Sequence, residues 1–138
     1  MQRIVRATAF LEELTSEEIS GLIESTGLST YGAEQVVVKE GTPGDRLYVV
    51  TRGVLMVTTA SPSGDEVRVG TLNVGDFFGE VALLTGRPRA ATVTAETDAE
   101  CLQITKEEWD RLSSRHPRLT SLLEEAMSVR AQLSAEAV

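Results

Sequence analysis

Between Ala33 and Ile104 the apolar runs are too short for helices, and turn residues separate them about every 8–12 positions. That spacing restricts the chain to a β-sandwich or a jelly roll. Gln35-Val36-Val37-Val38-Lys39 is rich in β-branched residues, Leu47-Tyr48-Val49-Val50 forms a second run, and Val54-Leu55-Met56-Val57-Thr58 a third. Val67, Val69 and Leu72 alternate with polar or small residues, and Ala91–Ala95 and Glu100–Ile104 complete the set. Arg52-Gly53 reads as a tight hairpin joining the second and third runs. Ser61-Pro62-Ser63-Gly64-Asp65 is a turn by composition.

Helical signals flank this region. Thr15-Ser16-Glu17-Glu18 offers a capping box, Ile19, Leu22 and Ile23 follow at helical spacing, and Gly27 supplies a stop. Phe10 and Leu11, just before the cap, suit a hydrophobic staple. Thr105-Lys106-Glu107-Glu108 is a second capping box, followed by Trp109 and Leu112. Pro117 breaks the pattern, and Leu119, Leu122, Leu123, Ala126, Met127, Val129 and Leu133 then form an apolar stripe. The expected class is α+β: an antiparallel β-roll of jelly-roll type with an N-terminal helical segment and two C-terminal helices. The chain of 138 residues is read as one domain, with a helical segment at 1–32, the roll at 33–104 and the closing helices at 105–138.

The histidine count removes most hydrolase and metalloenzyme readings. A histidine-built metal site needs two or three histidines, and a nucleophile–His catalytic set needs a positioned one; the chain has one, His116. It sits in Ser113-Ser114-Arg115-His116-Pro117, a helix junction, where a solvated or capping role is expected. The single Cys101 cannot form an internal disulfide, fits a reducing compartment such as the cytoplasm, and reads as a small buried strand residue. The formal net charge of −8 and the absence of a basic stripe argue against direct nucleic-acid binding. No apolar run approaches the ~18 residues of a membrane span, and the start lacks the apolar core of a signal peptide. Neither a catalytic residue nor a metal ligand is expected.

One segment inside the strand region does not alternate like a strand: Gly75-Asp76-Phe77-Phe78-Gly79-Glu80-Val81-Ala82-Leu83-Leu84-Thr85-Gly86-Arg87-Pro88-Arg89-Ala90-Ala91-Thr92. Glu80–Leu84 is long enough for one helical turn, led in by Phe78-Gly79 and closed by Gly86 and Pro88. The unpaired N–H groups of such a turn form an anion site. Gly79 allows close backbone approach, Ala82 leaves its amide accessible, and Arg89 can fork two hydrogen bonds onto a phosphate. Glu80 would be repelled by that phosphate, so a sugar hydroxyl is its natural partner. The plainer alternative is that Glu80 and Arg89 form a surface salt bridge worth under about 1 kcal/mol.

At these residues the sequence resembles the cyclic-nucleotide-binding domain family, which includes regulatory subunits of cAMP-dependent protein kinase, cyclic-nucleotide-gated channels and catabolite activator proteins. Phe78–Leu84 followed by Arg89-Ala90-Ala91-Thr92-Val93-Thr94-Ala95 looks like the family's phosphate-binding cassette. Upstream, the stretch from Val37 to Gly53, with Gly41, Gly44 and Gly53 as its spaced glycines, is similar to the family's strand–turn–strand. The resemblance implies a cassette at 78–92 in which Arg89 takes the exocyclic phosphate oxygens and Glu80 the ribose 2′-hydroxyl. Backbone amides of Gly79, Ala82 and Ala90 would complete the pocket beside Val81 and Ala91, with Phe78 and Leu83 packing the turn. The base would lie near Val69 and Leu72. Ala90 stands where members that prefer cGMP often carry a hydroxyl residue, so cAMP is the expected ligand and cGMP the second candidate; no cofactor is implied.

By the same resemblance the C-terminal helices transmit binding to an attached or partner effector. Leu119, Leu122 and Ala126 could simply pack on the roll, while Met127, Arg130 and Leu133 could close over the base as a lid. The resemblance leaves the effector open among channel, kinase, acyltransferase and transcription factor. A homo-oligomer, if one forms, is expected through the full-length protein. Three rivals stand beside the ligand sensor: a cupin-like enzyme, which the single histidine opposes; the sensory part of a catabolite-activator-type regulator; and a degenerate interaction domain, which Glu80 and Arg89 oppose.

Overall fold

The computed structural model describes residues 13–79, 83, 85–121 and 124. Helix α1 (Ser16–Thr26) precedes eight strands: β1 (Leu28–Tyr31), β2 (Val36–Val38), β3 (Arg46–Arg52), β4 (Leu55–Ala60), β5 (Glu66–Leu72), β6 (Phe77–Phe78), β7 (Thr92–Ala95) and β8 (Ala99–Thr105). Helix α2 (Lys106–Arg115) follows, and residues 118–121 are again helical after the break at Pro117. Both capping boxes form as expected. The Thr15 hydroxyl accepts from Glu18 N while Thr15 N donates back to Glu18 Oε1, and Thr105 and Glu108 repeat the pattern. Gly27 closes α1 with φ 74°, a conformation open to a residue without a Cβ.

The strands form two four-stranded antiparallel sheets in the orders β1-β8-β3-β6 and β2-β7-β4-β5. The first sheet is the middle layer. Leu47, Val49, Leu102 and Ile104 pack with Ile19, Leu22, Trp109, Leu112 and Leu119 of the helices. The intervening Tyr48, Val50 and Cys101 pack instead against Leu55, Leu72, Val93 and Ala95 of the second sheet. Strand β3 is therefore buried on both faces, which is why Leu47–Val50 reads as an unbroken apolar run rather than an alternation. Each fully buried aliphatic side chain in these layers contributes about 1.5–3 kcal/mol. This layering and pairing give the antiparallel β-roll with flanking helices.

Three local readings need correction. The helical segment expected at 1–32 contains a strand, β1, paired with β8 from Leu28↔Leu102 to Tyr31↔Ala99. Its four residues are an edge with only partial burial, and a partner some seventy residues away decides its state, so local pattern carries little of the signal. Arg52-Gly53 is not a hairpin: β3 and β4 lie in different sheets, and the chain crosses between them here. Gly53 has φ 83° and a Cβ on it would strike the Asp98 carbonyl, so glycine is required by the corner rather than by a hairpin turn. Phe78, expected with Gly79 to lead into the turn, first pairs with β3 in β6, with Tyr48↔Phe78 and Val49↔Phe77 in register. The Ser61–Asp65 turn does form a hairpin, joining β4 and β5 with Ser61 N donating to Asp65 O at 2.7 Å.

His116 caps α2, its backbone N–H donating to Leu112 O at 2.9 Å. Its ring is not simply solvated: Nε2 lies 2.9 Å from Glu18 Oε1 and ties the end of α2 to the start of α1. Leu119 is fully buried in the helix-side core, which supports the packing role for that residue. Phe10, Leu11, Leu122, Leu123, Ala126, Met127, Val129, Arg130 and Leu133 lie outside the described residues. No helix among the described residues is long and apolar enough to cross a membrane.

Candidate functional site

Arg89 sits at the end of the segment that interrupts the strands, four residues past the helical Thr85 by way of Gly86 and Pro88. Leu83 N donates to Gly79 O at 3.0 Å, the four-residue spacing of an α-turn. Two backbone bonds fasten Arg89 to the β2–β3 loop: Arg89 N donates to Thr42 O at 2.8 Å, and Gly41 N donates to Arg89 O at 2.9 Å. A third contact extends the seam, with Glu40 N donating to the Thr92 hydroxyl at 3.0 Å. The arginine backbone is thus fixed by a loop remote in sequence.

The side chain is held as firmly. Arg89 is only 8 % exposed, against the rule that arginine is mostly a surface residue. Its Nη1 donates to the Arg46 carbonyl at 3.2 Å, and Cζ lies 5.5 Å from the centroid of the Tyr48 ring. Tyr48 in turn stacks on Phe78, with centroids 4.8 Å apart and planes within 4°. Two glycines leave room for the guanidinium. A Cβ on Gly44 would overlap Nε, Cζ and Nη2 of Arg89. A Cβ on Gly79 would come within 2.5 Å of the Arg46 carbonyl oxygen and 2.6 Å of Arg89 Nη1, and Gly79 also has φ 90°.

Among the described residues, no carboxylate forms an ion pair with Arg89. A guanidinium carries five N–H donors in a planar fork that matches two oxygens of a phosphate, and one of these donors is used on Arg46. An arginine this buried is a poor fit to the surface salt-bridge reading. Its arrangement suits capture of an anion by charge-assisted hydrogen bonds, which are roughly twice as strong as neutral ones.

Of the other candidate ligand contacts, Ala90 is exposed and Ala91 half-buried beside Arg89. Leu72 and Phe78 lie together in the core between the sheets, with Val69 half-buried on the same strand as Leu72. Leu83 packs in the helix-side core, on the opposite face of the first sheet from Phe78, so its side chain anchors the segment from behind. Glu80, Val81, Ala82 and Arg130 lie outside the described residues. Sequence reasoning passed over Gly44, Tyr48 and the Arg46 and Thr42 carbonyls as parts of the site. The closely spaced Gly41-Thr42-Pro43-Gly44 was the available signal, since two glycines in four residues mark a backbone that something approaches closely.

The Cys101 thiol, fully buried between the sheets, is pushed up to about 12 by burial, with the Glu100 charge adding to the effect. Among the described residues no three His, Cys, Asp or Glu side chains are grouped to hold a metal ion.

Comparison with known proteins places this geometry. A family model described as the cyclic nucleotide-binding domain matches residues 28–116, from the first residue of β1 to the cap of α2. The cAMP-dependent protein kinase regulatory subunit of Dictyostelium discoideum is 32% identical over 114 residues, 80% of this chain and 35% of the relative. The chain therefore spans about a third of that relative's length. The N-terminal domain of a transcriptional regulator from Streptomyces coelicolor A3(2) superposes with a TM-score of 0.71 at 28% identity, covering 98% of this chain and 94% of that one. The catabolite activator protein of Thermus thermophilus superposes with a TM-score of 0.76 at 26% identity, over 93% of this chain and 60% of that one. The family model spans every strand of the roll and the loops that cradle Arg89, and on that ground the chain belongs to the cyclic nucleotide-binding domain family, as a regulatory ligand-binding module.

Proposed function

We propose that this domain binds cAMP in preference to cGMP, and that its C-terminal helices pass the binding event to an attached or partner effector. The observation that carries the reading is the Arg89 guanidinium, buried, oriented by the Arg46 carbonyl and without a carboxylate partner among the described residues. In this reading Arg89 holds the exocyclic phosphate oxygens, with the amides of Gly79, Ala82 and Ala90 beside it. Glu80 takes the ribose hydroxyl, and the base lies toward Val69 and Leu72. Ala90 supports cAMP because it brings no hydroxyl next to the phosphate arginine. The lid role of Met127, Arg130 and Leu133 belongs to the same proposal: contacts made only in the bound state shift a two-state equilibrium by their differential energy.

The test is calorimetric titration of wild type and Arg89→Ala with cAMP and cGMP. Losing a buried charge-assisted phosphate contact costs several kcal/mol, so Arg89→Ala should weaken cAMP binding at least about a hundredfold with the fold retained. Unchanged affinity overturns the phosphate assignment, and no binding of either nucleotide by the wild type supports the degenerate interaction domain. For the effector, a transcription regulator is one reading: the solved structures above 25% identity include a transcriptional regulator and a catabolite activator protein, beside the regulatory domain of Toxoplasma gondii PKA at 29%. A helix-turn-helix encoded after Val138 in the native gene would carry that reading; transmembrane helices encoded before Met1 would overturn it in favour of a channel.

A further inference from the structure

We infer that Tyr48 is a positioning residue for ligand binding, acting through Arg89; this rests on the reading of Arg89 as the phosphate-holding group. Tyr48 occupies the middle of β3, and its ring faces the space between the two sheets. The Arg89 guanidinium lies over that ring at 5.5 Å, inside the ~6 Å at which a cation is attracted to the negative face of an aromatic. Phe78, the direct cross-strand partner of Tyr48, stacks on the ring and fixes its plane. The two rings form a platform whose orientation is set by sheet pairing and core packing rather than by exposed rotamers.

The platform works with three backbone contacts. The Arg46 carbonyl takes one N–H, the missing Cβ of Gly44 admits Nε, Cζ and Nη2, and the missing Cβ of Gly79 admits Nη1. A long side chain with three or four free torsions ordinarily loses up to about 2 kcal/mol of rotamer entropy when it is fixed on a ligand. Here the ring and the carbonyl hold Arg89 in the protein itself, in space the two glycines leave open, so less of that entropy remains to be lost when a phosphate arrives. The ring also partly replaces the hydration of a cation that is almost wholly buried, at a place where the described residues give it no counter-charge.

Tyr48 therefore sets ligand affinity without needing to touch ligand. The hydroxyl plays no part in this role, since the face of the ring makes the contact. Tyr48→Phe should keep cAMP affinity within about twofold, whereas Tyr48→Leu, which fills much of the same space without a π face, should lower it roughly tenfold. The deciding measurement repeats both substitutions in an Arg89→Ala background, titrated to saturation, with thermal midpoints recorded for every variant. Val50→Ala, a core truncation on the same strand, serves as a comparator that loses stability without touching Arg89.

The expected result is a loss for Tyr48→Leu in wild type, rescue in Tyr48→Phe, almost no further loss in the Arg89→Ala background, and little affinity change in Val50→Ala. An equal loss in both backgrounds, or an affinity loss in Val50→Ala that scales with its fall in thermal midpoint, overturns the inference. The premise fails separately. If Arg89→Ala alone leaves affinity unchanged, the phosphate reading falls; if Arg89→Ala weakens binding and Tyr48→Leu does not, the reading stands and the positioning role is lost.

Discussion

The guanidinium of Arg89 occupies the space that a Cβ on Gly44 would need, so the β2–β3 loop and the cassette arginine are fitted to each other at the scale of one methyl group. Gly44 is not in the left-handed region, so an alanine there meets no backbone strain and tests this fit alone. Gly44→Ala should push the guanidinium out of register, lowering cyclic-nucleotide affinity at least about tenfold at a stability cost of about 1–3 kcal/mol for overpacking. Gly64→Ala in the β4–β5 turn is the matched control: its φ of 91° strains an alanine by about 1–2 kcal/mol, but open space surrounds the new methyl. Titration and thermal melts of both variants should separate loss of affinity from loss of stability. Wild-type affinity in Gly44→Ala counts against the fit.

How far the sequence speaks for itself varies with the range of the interaction. Both capping boxes were legible because they are local: a hydroxyl and a glutamate three residues apart satisfy each other wherever the helix packs. Arg89 stood out for the same reason, through glycines and a proline within a dozen residues of it. The β1 strand was not legible, because its partner β8 lies far along the chain and its own burial is slight. Arg52-Gly53 had hairpin composition, yet the choice between a hairpin and a sheet crossing is made by the strands' partners, β8 for β3 and β5 and β7 for β4, outside any local window. Tyr48 reads as part of the second strand run, and it lies in β3 with its ring in the core between the sheets. Its second role depends on Arg89 lying over its ring, a contact between residues 41 positions apart.

Cys101 should be silent toward thiol reagents in the folded protein. With its thiol pushed up to about 12, on the order of one molecule in ten thousand carries the thiolate at about pH 8. The side chain is also completely enclosed between the two sheets. Labelling with a chromogenic disulfide should be absent without denaturant, become stoichiometric in strong denaturant, and follow the unfolding transition between the two. Labelling of the native protein at the rate of a free thiol would show that the sheets part far more readily than their packing allows.

The acid limb of the stability curve should depend on Glu18. Its carboxylate accepts the Thr15 backbone N–H at 2.9 Å and meets the His116 ring at the far end of α2, with the exposed Arg115 3.8 Å away. The Thr15 bond, more than His116, holds the carboxyl below its ordinary value of 4.5, despite an opposing push from burial. A carboxyl whose folded value is lowered stabilises the fold while it is ionised in both states. That contribution is present above about pH 4.5 and is lost as the pH falls through the lowered folded value. Glu18→Gln keeps an oxygen acceptor for Thr15 but removes the charge. Its urea midpoint should therefore fall below that of the wild type near pH 7 and converge with it in acid. Acid limbs that stay parallel from neutral pH downward would place the acid sensitivity elsewhere and leave the clasp between α1 and α2 with no electrostatic part.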